Sequence, residues 1–422
     1  MRILPLPFSI RFWAVLTVST LLLLATGTAL SQETAIWSFY SQYGDALPIG
    51  GLTADAAGNL YGVTFYGGSY GNGMVYELTP IGDDWVETTL YSFNPSNGDG
   101  WAPTSPPVFD ANGNLYGTTQ FGGTGSCSIF GCGTVYKLSP SGDATWKETI
   151  LHNFNDTDGW QIHPGLIIDG AGNLYGMATG GGAYSAGTVF EMSPANDGTW
   201  SFSILHQFFG GKDGKAPFQA LTLDAAGNLY GTTSAGGGKS AACKYGCGIV
   251  FELSPSGNGS WTEKILHNFT TNAHDGSAPA CRLTFDAAGN LYGTTSSGGG
   301  ALGAGIVFEL SPHDNVWTET ILHNFNQQAG DGQGPTNNLA FDASGKLYGM
   351  TIGGGPHGAG TAFELSPNAG GSWTETILNN FSKQGSGGYF PNSGPLFVNG
   401  SIYGVAASGG RNGQGTVYVI AP

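Results

Sequence analysis

The chain has 422 residues, of which 40% are hydrophobic and only 10% are charged, with 29 acidic residues against 13 lysines and arginines. The formal charge of −16 argues against a nucleic-acid-binding protein and against docking on anionic lipid, because both need a basic footprint. No stretch after the first residues keeps a helical period for long, so an all-β fold is favoured.

Residues 1–31 differ in kind from the rest of the chain. Arg2 and Arg11 precede an apolar run from Phe12 to Ala25, and small residues follow as far as Ser31. This pattern predicts a secretory signal peptide cleaved after Ala29 or Ser31, because the run is short for a membrane anchor. We therefore expect a secreted or outer-surface protein with no transmembrane segment in the mature chain. Loss of the two arginines changes the formal charge from −16 to −18.

A short motif, Leu-Tyr-Gly or Ile-Tyr-Gly, recurs seven times at intervals of 55 to 62 residues. Its copies begin at Leu60, Leu115, Leu174, Leu229, Leu291, Leu347 and Ile402. Tandem repeats of this kind form one continuous architecture, so residues 32–422 are predicted to be a single domain.

Each repeat has the pattern of four short strands, which we call a, b, c and d. In the fifth copy they cover residues 283–286, 290–295, 306–310 and 317–325, where β-branched and aromatic residues dominate. The link from Asp286 to Asn290 predicts a hairpin turn, because Asp bonds nearby backbone and Gly takes the left-handed conformation.

The two ends of the chain predict ring closure. The seventh copy supplies strands a, b and c but no strand d, whereas Glu33–Phe39 matches strand d of the fifth copy. The sequence therefore predicts a seven-bladed β-propeller with four-stranded blades, in which the N-terminal strand completes the last blade and removes the open sheet edges. An open β-solenoid is the alternative, but its coils would be far shorter.

The segments Gly187–Pro194 and Gly360–Pro367 carry the pattern Gly-Thr-x-Phe-Glu-x-Ser-Pro, which follows each Asn-Leu-Tyr-Gly and its glycines. This repeated sequence pattern resembles the GloVer tandem repeat of exported bacterial proteins, and parts of it are similar to kelch and NHL propeller repeats. The resemblance covers residues 33–422 and implies a propeller fold without an assigned activity. Many relatives carry a C-terminal surface anchor; none is visible here, which implies free secretion or release at the outer surface.

The loops divide the predicted propeller into a uniform face and a variable face. The a–b and c–d links are short and alike, whereas the b–c and d–a loops differ between copies and open on the other side. Because binding residues concentrate on loops held by a rigid scaffold, aromatic residues of this variable face are candidate ligand-binding residues. They are Trp101, Trp160, Tyr66, Phe121, Tyr184, Tyr245 and Tyr389. Alternatively, these rings pack against adjacent blades.

An Asp-Gly-x-x-Pro theme recurs in the d–a loops. Its carboxylates are Asp99, Asp158, Asp213, Asp275 and Asp331, with Asp45 as a looser version. If they point at the central opening they form a ring that could hold Ca²⁺; the alternative is turn chemistry. Four histidines share one position on strand d and are expected to be packing residues: His152, His206, His267 and His323.

The five cysteines lie on the variable side of the predicted blades. Cys127 and Cys132, and likewise Cys243 and Cys247, each fall inside one b–c loop, and such close pairs in an exported protein predict loop disulfides. A zinc site is the alternative, although the pairs are two blades apart and lack Cys-x-x-Cys spacing. The pairing of Cys281 stays open.

These patterns favour an exported, monomeric propeller that acts as a binding or surface-interaction module for a glycan or protein ligand. A secreted lyase, hydrolase or lactonase with its site at the channel mouth is the main alternative, and a passive structural component of the cell exterior is another. The near-identical blades offer no asymmetric acid–base pair, so no catalytic residue is assigned and an enzyme is disfavoured.

Overall fold

The computed structural model describes residues 33–40, 46–142, 145–163, 165–238, 243–270, 275–300, 302–314, 316–326, 330–384 and 387–421. The predicted signal peptide, its cleavage positions and Asp45 lie outside the described residues. Within them, no helix is long and apolar enough to span a membrane.

The described chain is almost entirely strand and turn. In chain order, the strands are β1 (Glu33–Ser38), β2 (Pro48–Ala54), β3 (Leu60–Thr64), β4 (Met74–Ile81), β5 (Asp84–Ser92), β6 (Gly100–Pro103), β7 (Val108–Phe109), β8 (Leu115–Gly122), β9 (Thr134–Pro140), β10 (Trp146–Asn153), β11 (Ile167–Ile168), β12 (Leu174–Ala178), β13 (Thr188–Pro194), β14 (Trp200–Gln207), β15 (Lys215–Pro217), β16 (Thr222–Leu223), β17 (Leu229–Ala235), β18 (Ile249–Gly257), β19 (Ser260–Asn268), β20 (Gly276–Pro279), β21 (Thr284–Phe285), β22 (Leu291–Gly298), β23 (Ile306–His313), β24 (Val316–Asn324), β25 (Gly332–Pro335), β26 (Ala340–Phe341), β27 (Leu347–Gly354), β28 (Thr361–Pro367), β29 (Trp373–Asn380), β30 (Gly388–Pro391), β31 (Leu396–Val398), β32 (Ser401–Gly409) and β33 (Thr416–Ile420). Two 3-10 helices cover Pro95–Asn97 and Gly211–Asp213.

These strands form seven antiparallel sheets, which are the seven blades in chain order. The sheets are β2-β3-β4-β5, β6/β7-β8-β9-β10, β11-β12-β13-β14, β15/β16-β17-β18-β19, β20/β21-β22-β23-β24, β25/β26-β27-β28-β29 and β30/β31-β32-β33-β1. A slash marks a strand a that is split into two short pieces, both paired with strand b. The prediction of a seven-bladed propeller is confirmed.

The ring closes as expected, through the N-terminal strand. β1 runs antiparallel to β33, with Glu33 opposite Ile420 and Ser38 opposite Thr416. Phe39 continues the pairing by donating its backbone N–H to the carbonyl of Gly415 at 3.1 Å. Blade 7 therefore takes three strands from the C-terminal end of the chain and its outermost strand from the N-terminal end.

The a–b link forms the predicted hairpin. Asp286 Oδ1 accepts the backbone N–H groups of Ala288 and Asn290, both at 2.9 Å. Its Oδ2 accepts the Asn290 side chain at 2.8 Å and the Tyr292 hydroxyl at 3.1 Å. One carboxylate thus satisfies four donors and ties the turn to strand b, which explains why Asp, Asn and Tyr recur together.

The hydrophobic core lies between consecutive blades. One buried cluster combines Tyr230 and Val250 of blade 4 with Leu291, Phe308 and Leu310 of blade 5. Each blade therefore buries apolar surface only by packing on its neighbours, as expected for a repeat protein.

The Asp-Gly-x-x-Pro theme links each blade to the preceding one. Pro335 packs on Gly305 of the preceding blade, where a Cβ atom would come within 2.7 Å of the proline Cδ. Gly334 donates its backbone N–H to Ala304 O at 2.8 Å and has a positive φ of 61°. The residue before the proline position takes a positive φ in all seven blades: Leu47, Ala102, Gln161, Ala216, Ala278, Gly334 and Phe390. The theme is turn chemistry with a second role in holding adjacent blades together.

Candidate functional site

The exposed hydrophobic side chains are unevenly divided between the two faces. Of the fourteen large hydrophobic side chains exposed within the described chain, three lie at the c–d links: Ile81, Val86 and Val316. The other eleven lie in the b–c and d–a loops or at the strand ends beside them: Tyr40, Tyr66, Tyr70, Ile129, Phe130, Tyr184, Phe209, Phe218, Tyr245, Leu302 and Ile352. Because loops of a soluble protein have no packing need for such groups, the variable face is the better candidate for binding.

The largest group on this face is in blade 2, and we call it the aromatic platform: Trp101, Phe121, Ile129 and Phe130. Trp101 pairs with Phe121 across β6 and β8, and their ring centroids are 4.7 Å apart at an angle of 35°. Phe130 lies 5.9 Å from the Trp101 ring and 5.6 Å from the Phe121 ring. Phe130 is 51% exposed and Ile129 is 92% exposed. The platform is thus a group of three partly exposed rings in mutual contact, with Ile129 next to Phe130 in the chain.

A disulfide braces the loop that carries Ile129 and Phe130. Cys127 and Cys132 are bonded, and Gly122 donates its backbone N–H to the Phe130 carbonyl at 2.7 Å. A loop of this size is stabilised by only about 2 kcal/mol on the chain-entropy model. Its effect is local, on the loop whose Phe130 meets the Trp101 ring.

The other aromatic candidates do not join the platform. Tyr184 meets Phe209 at 6.1 Å, and Tyr66 meets Phe65 at 4.7 Å. Tyr389 packs on Phe390 at 5.1 Å, and the ring of Tyr245 lies 5.5 Å from the Lys244 ammonium. Of the seven predicted residues, only Trp101 and Phe121 are in ring contact with each other.

Trp160 has a structural role in its blade. Its indole covers Gly180, where a Cβ atom would come within 2.5 Å of the ring, and it also lies over Gly181. Its backbone exchanges hydrogen bonds with Gly180, both at 3.1 Å. The ring packs on a buried cluster that includes Phe154 and Ile162. The Trp160 ring thus packs on the protein itself, which was the alternative to ligand binding for these loop aromatics.

A second feature lies in the central channel and was not predicted. Residues of strand a from all seven blades line a cavity of about 210 Å³. At the position four residues before the hairpin aspartate, six blades have no charge and blade 5 has Arg282. The uncharged residues are Gly51, Pro106, Gly165, Ala220, Asn338 and, by pairing, Gly394. A lone arginine among small neutral residues was the signal in the sequence.

The Arg282 guanidinium has no hydrogen-bond or ion-pair partner among the described residues. It reaches solvent within the channel, yet protein surrounds it, and burial lowers its pKa. Gln219, Asn337 and Asn338 line the same cavity and add amide groups. A cation with amides around it in a confined space is suited to a small anion.

The five predicted metal-site aspartates lie in five different contacts between blades. Asp99 accepts the Tyr91 hydroxyl and the Asn94 backbone N–H through Oδ2, both at 2.9 Å. Asp158 and Asp213 likewise bond the histidine of the preceding strand d, at 3.1 and 3.2 Å. The carboxylates therefore serve local partners and do not converge on one central cation. Calcium binding by a ring of these residues has no geometric support.

The cysteines that are close in the sequence form the predicted loop disulfides. Cys243 is bonded to Cys247, and Cys281 is a buried free thiol. The Cys281 Sγ accepts the Thr294 backbone N–H at 3.1 Å, and burial raises the pKa of this thiol to about 11. Cys281 is therefore a packing residue beneath strand b of blade 5.

Comparison with known protein families identifies the family of the repeat. The family model described as the Gloeobacter/Verrucomicrobia repeat matches residues 25–243 and 201–418. The chain belongs to this repeat family. The resemblance noted in the sequence is thereby confirmed.

Solved structures with a similar fold come from several bacteria. A "putative 6-phosphogluconolactonase" from Bacteroides uniformis ATCC 8492 is 13% identical, with a TM-score of 0.48 over 89% of this chain and 97% of that chain. A protein of unknown function from Dyadobacter fermentans DSM 18053 is 10% identical, with a TM-score of 0.45 over 82% and 97%. The K499G mutant of NanB sialidase from Streptococcus pneumoniae is 12% identical, with a TM-score of 0.45 over 93% and 70%. No curated protein matches the chain.

Proposed function

We propose that this member of the Gloeobacter/Verrucomicrobia repeat family is an exported module that binds neutral glycan chains on its variable face. The observation that carries the proposal is the aromatic platform, where Trp101, Phe121 and Phe130 form one partly exposed group. Aromatic faces bind the apolar face of a sugar ring, while nearby polar groups bond its hydroxyls. The loop of the platform supplies such groups in Thr124 and Ser128.

Charge and disulfides support the rest of the proposal. A formal charge of −16 repels polyanions, so a neutral glycan is favoured over an acidic one. Two disulfides fit a protein that works outside the cytoplasm, since such bonds persist in oxidising compartments.

A glycan array with the purified protein tests this function. We expect binding to neutral oligosaccharides that falls about 5- to 30-fold in Phe130→Ala and Trp101→Ala, because each change removes one ring of the platform. Loss of one stacking ring corresponds to about 1–2 kcal/mol. Phe130 is half exposed, so its removal should leave the melting temperature unchanged.

Tyr245→Ala is the matched control, because Tyr245 is 71% exposed on the same face but lies in blade 4. We expect it to bind as the unaltered protein does. No glycan signal, or an equal loss in the control, would contradict the proposal. Binding to proteins but not to glycans would replace a sugar ligand with a protein partner.

A second candidate function is binding of a small anion in the central channel, and the unpaired Arg282 favours it. We expect inorganic phosphate or citrate to raise the melting temperature and to bind measurably in calorimetry. Arg282→Gln should abolish the effect, because it removes the charge and keeps a polar side chain. Arg282→Lys should retain part of it, since a point charge replaces the planar fork. An unchanged response in Arg282→Gln would exclude the channel as the anion site.

A further inference from the structure

Three neighbouring contacts between blades repeat the same side-chain cluster, which we call the seam triad. Each triad has the histidine of one strand d, the aspartate of the following d–a loop, and a glutamate from strand d of the next blade. The triads are His206–Asp213–Glu263, His267–Asp275–Glu319 and His323–Asp331–Glu375. In each, one histidine nitrogen and two carboxylate oxygens lie within 4.8 Å of one another.

In two of the triads, the distances from the histidine to both carboxylates are long for hydrogen bonds. His267 Nε2 lies 3.5 Å from Asp275 Oδ1 and 3.8 Å from Glu319 Oε1. His323 Nε2 lies 3.5 Å from Asp331 Oδ1 and 3.6 Å from the glutamate. A zinc ion bound tetrahedrally at about 2.1 Å separates its ligand atoms by about 3.4 Å. The spacing therefore suits the edges of a metal coordination sphere better than direct contacts.

In the His206 triad, the histidine is closer to one carboxylate. His206 Nε2 lies 3.2 Å from Asp213 Oδ1, within hydrogen-bond range, and 3.8 Å from Glu263 Oε1. The three atoms still lie within 4.8 Å of one another, as in the other two triads, so all three are treated as one kind of site.

The aspartates are held in place by backbone groups. Asp213 Oδ2 accepts the Phe209 N–H at 2.7 Å, and Asp275 Oδ2 accepts the N–H and hydroxyl of Thr270 at 2.7 and 2.9 Å. Asp331 Oδ2 accepts the Asn326 N–H at 2.9 Å, and its Oδ1 accepts the N–H of the next residue at 2.7 Å. In Asp213 and Asp275 one oxygen is thus anchored and the other faces the histidine, whereas both oxygens of Asp331 accept backbone N–H groups and its Oδ1 also faces the histidine. Hydrogen bonds of this kind orient the carboxylates that bind a metal.

Several atoms of the triads are fully buried without a hydrogen-bond partner. They are Glu263 Oε1, His267 Nε2, Asp275 Oδ1, Glu319 Oε1, His323 Nε2 and Glu375 Oε1. Buried polar atoms are normally satisfied, because an unmet one costs about 1–3 kcal/mol. These six atoms all point into the triads, so the missing partner belongs at the centre of each triad.

The contact between blades 2 and 3 shows how the chain closes such a contact without a glutamate. There His152 and Asp158 are present, but Phe202 takes the glutamate position and stacks on the His152 ring at 3.9 Å and 3°. Neither His152 nor Asp158 contributes an unpartnered buried atom within the described chain. Unpartnered buried atoms are therefore found where the glutamate is present, and not where only the histidine and aspartate are.

We propose that each of the three seam triads binds one divalent zinc ion, through His Nε2, one Asp oxygen and one Glu oxygen, with water as the fourth ligand. A histidine with two carboxylates matches the ligands that zinc takes, whereas calcium requires six to eight oxygens. The side chains are 3–19% exposed, which leaves room for the water on the outer side. The ion would link two adjacent blades.

A shared proton is the competing occupant. Burial, followed by the facing Asp213, raises the pKa of Glu263 to about 9, and burial raises the pKa of Glu319 and Glu375 to about 7. A protonated glutamate could donate to its aspartate and satisfy part of the triad. Zinc and proton predict different metal contents, so the metal content decides between them.

The test is the zinc content of the full chain after chelator treatment and re-addition of zinc, measured by mass spectrometry and calorimetry. We expect three zinc ions per chain and a melting temperature at least 5 °C higher with zinc than without. Each of Glu263→Phe, Glu319→Phe and Glu375→Phe should lower the content by one, and the triple variant should hold none. These variants are expected to fold, because each copies the native contact made by Phe202.

The converse variant adds a site. Phe202→Glu completes the triad of His152 and Asp158, and we expect its zinc content to rise from three to four. A content below one zinc per chain would overturn the proposal, as would a content that the glutamate substitutions leave unchanged. Calcium that binds the unaltered protein, when zinc does not, would overturn it as well.

Discussion

Removal of residues 33–39 is expected to abolish the cooperative unfolding transition of the protein. These residues supply the outermost strand of blade 7, and without them β33 becomes an unpaired edge. Phe39 is 1% exposed and packs on Tyr76 of blade 1 at 4.9 Å, within a cluster shared by the first and last blades. Deleting one such phenylalanine side chain alone costs about 3–5 kcal/mol. The stability lost with the whole strand should exceed the net free energy of unfolding of a typical domain, which is about 5–15 kcal/mol.

The matched control moves the same residues to the other end of the chain. Because Glu33 lies opposite Ile420, residues 33–39 joined after Ala421 by a short link can form the same hairpin that joins strands c and d elsewhere. We expect this rearranged chain to melt cooperatively, close to the unaltered protein in circular dichroism and calorimetry. A deleted chain that retains the native transition would show that ring closure contributes little to stability.

Gly305→Ala is expected to destabilise the protein by about 2–5 kcal/mol. Gly305 has a φ of +99°, which costs alanine about 1–2 kcal/mol. Its Cβ would also lie 2.3 Å from Thr295 O and 2.7 Å from Pro335 Cδ, and such overpacking costs about 1–3 kcal/mol. The substitution thus strains strand b of its own blade and the proline from the next blade together. Urea unfolding followed by tryptophan fluorescence measures the loss.

Gly289→Ala separates backbone strain from the clash. Gly289 has a similar φ of +88° in the a–b hairpin, but nothing lies within 4 Å of its Cβ position. We expect a loss of about 1–2 kcal/mol, the cost of the left-handed conformation alone. Equal losses in the two variants would mean that the contact with Pro335 is soft and does not hold adjacent blades together.

Local chemistry explains which features could be predicted from sequence. The Asp286–Asn290 hairpin needs only an aspartate, a glycine and nearby donors, all within seven residues. Strand alternation and the incomplete seventh copy are likewise visible in the sequence. They were sufficient to predict the propeller and its closure by Glu33–Phe39.

The seam triads show what such reasoning misses. His267 and Glu319 belong to different blades and are 52 positions apart, and the repeat made each look like a packing residue. An Asp-Gly pair follows each strand-d histidine within six to eight residues, but only the side-by-side arrangement of blades brings the glutamate to that pair. The same arrangement places the predicted calcium-ring aspartates between the blades, and calcium binding by them stays a prediction.

Trp101 and Trp160 occupy the same place after Asp-Gly, yet their environments differ. Trp101 faces Phe121 across the strand pair, whereas Trp160 covers Gly180. The residue at the facing position decides whether the ring joins an exposed group or lies flat on backbone.

The sequence by itself determined the strands, the seven blades and the closure of the ring, because turn chemistry and alternation act between residues close in the chain. Only the tertiary structure decided which aromatic rings form the platform, that Arg282 stands unpaired in the channel, and that histidine, aspartate and glutamate meet between blades. The platform depends on which strands of one blade lie side by side. The channel and the triads depend on contacts between repeats, where the surroundings of a side chain are set by residues of neighbouring blades.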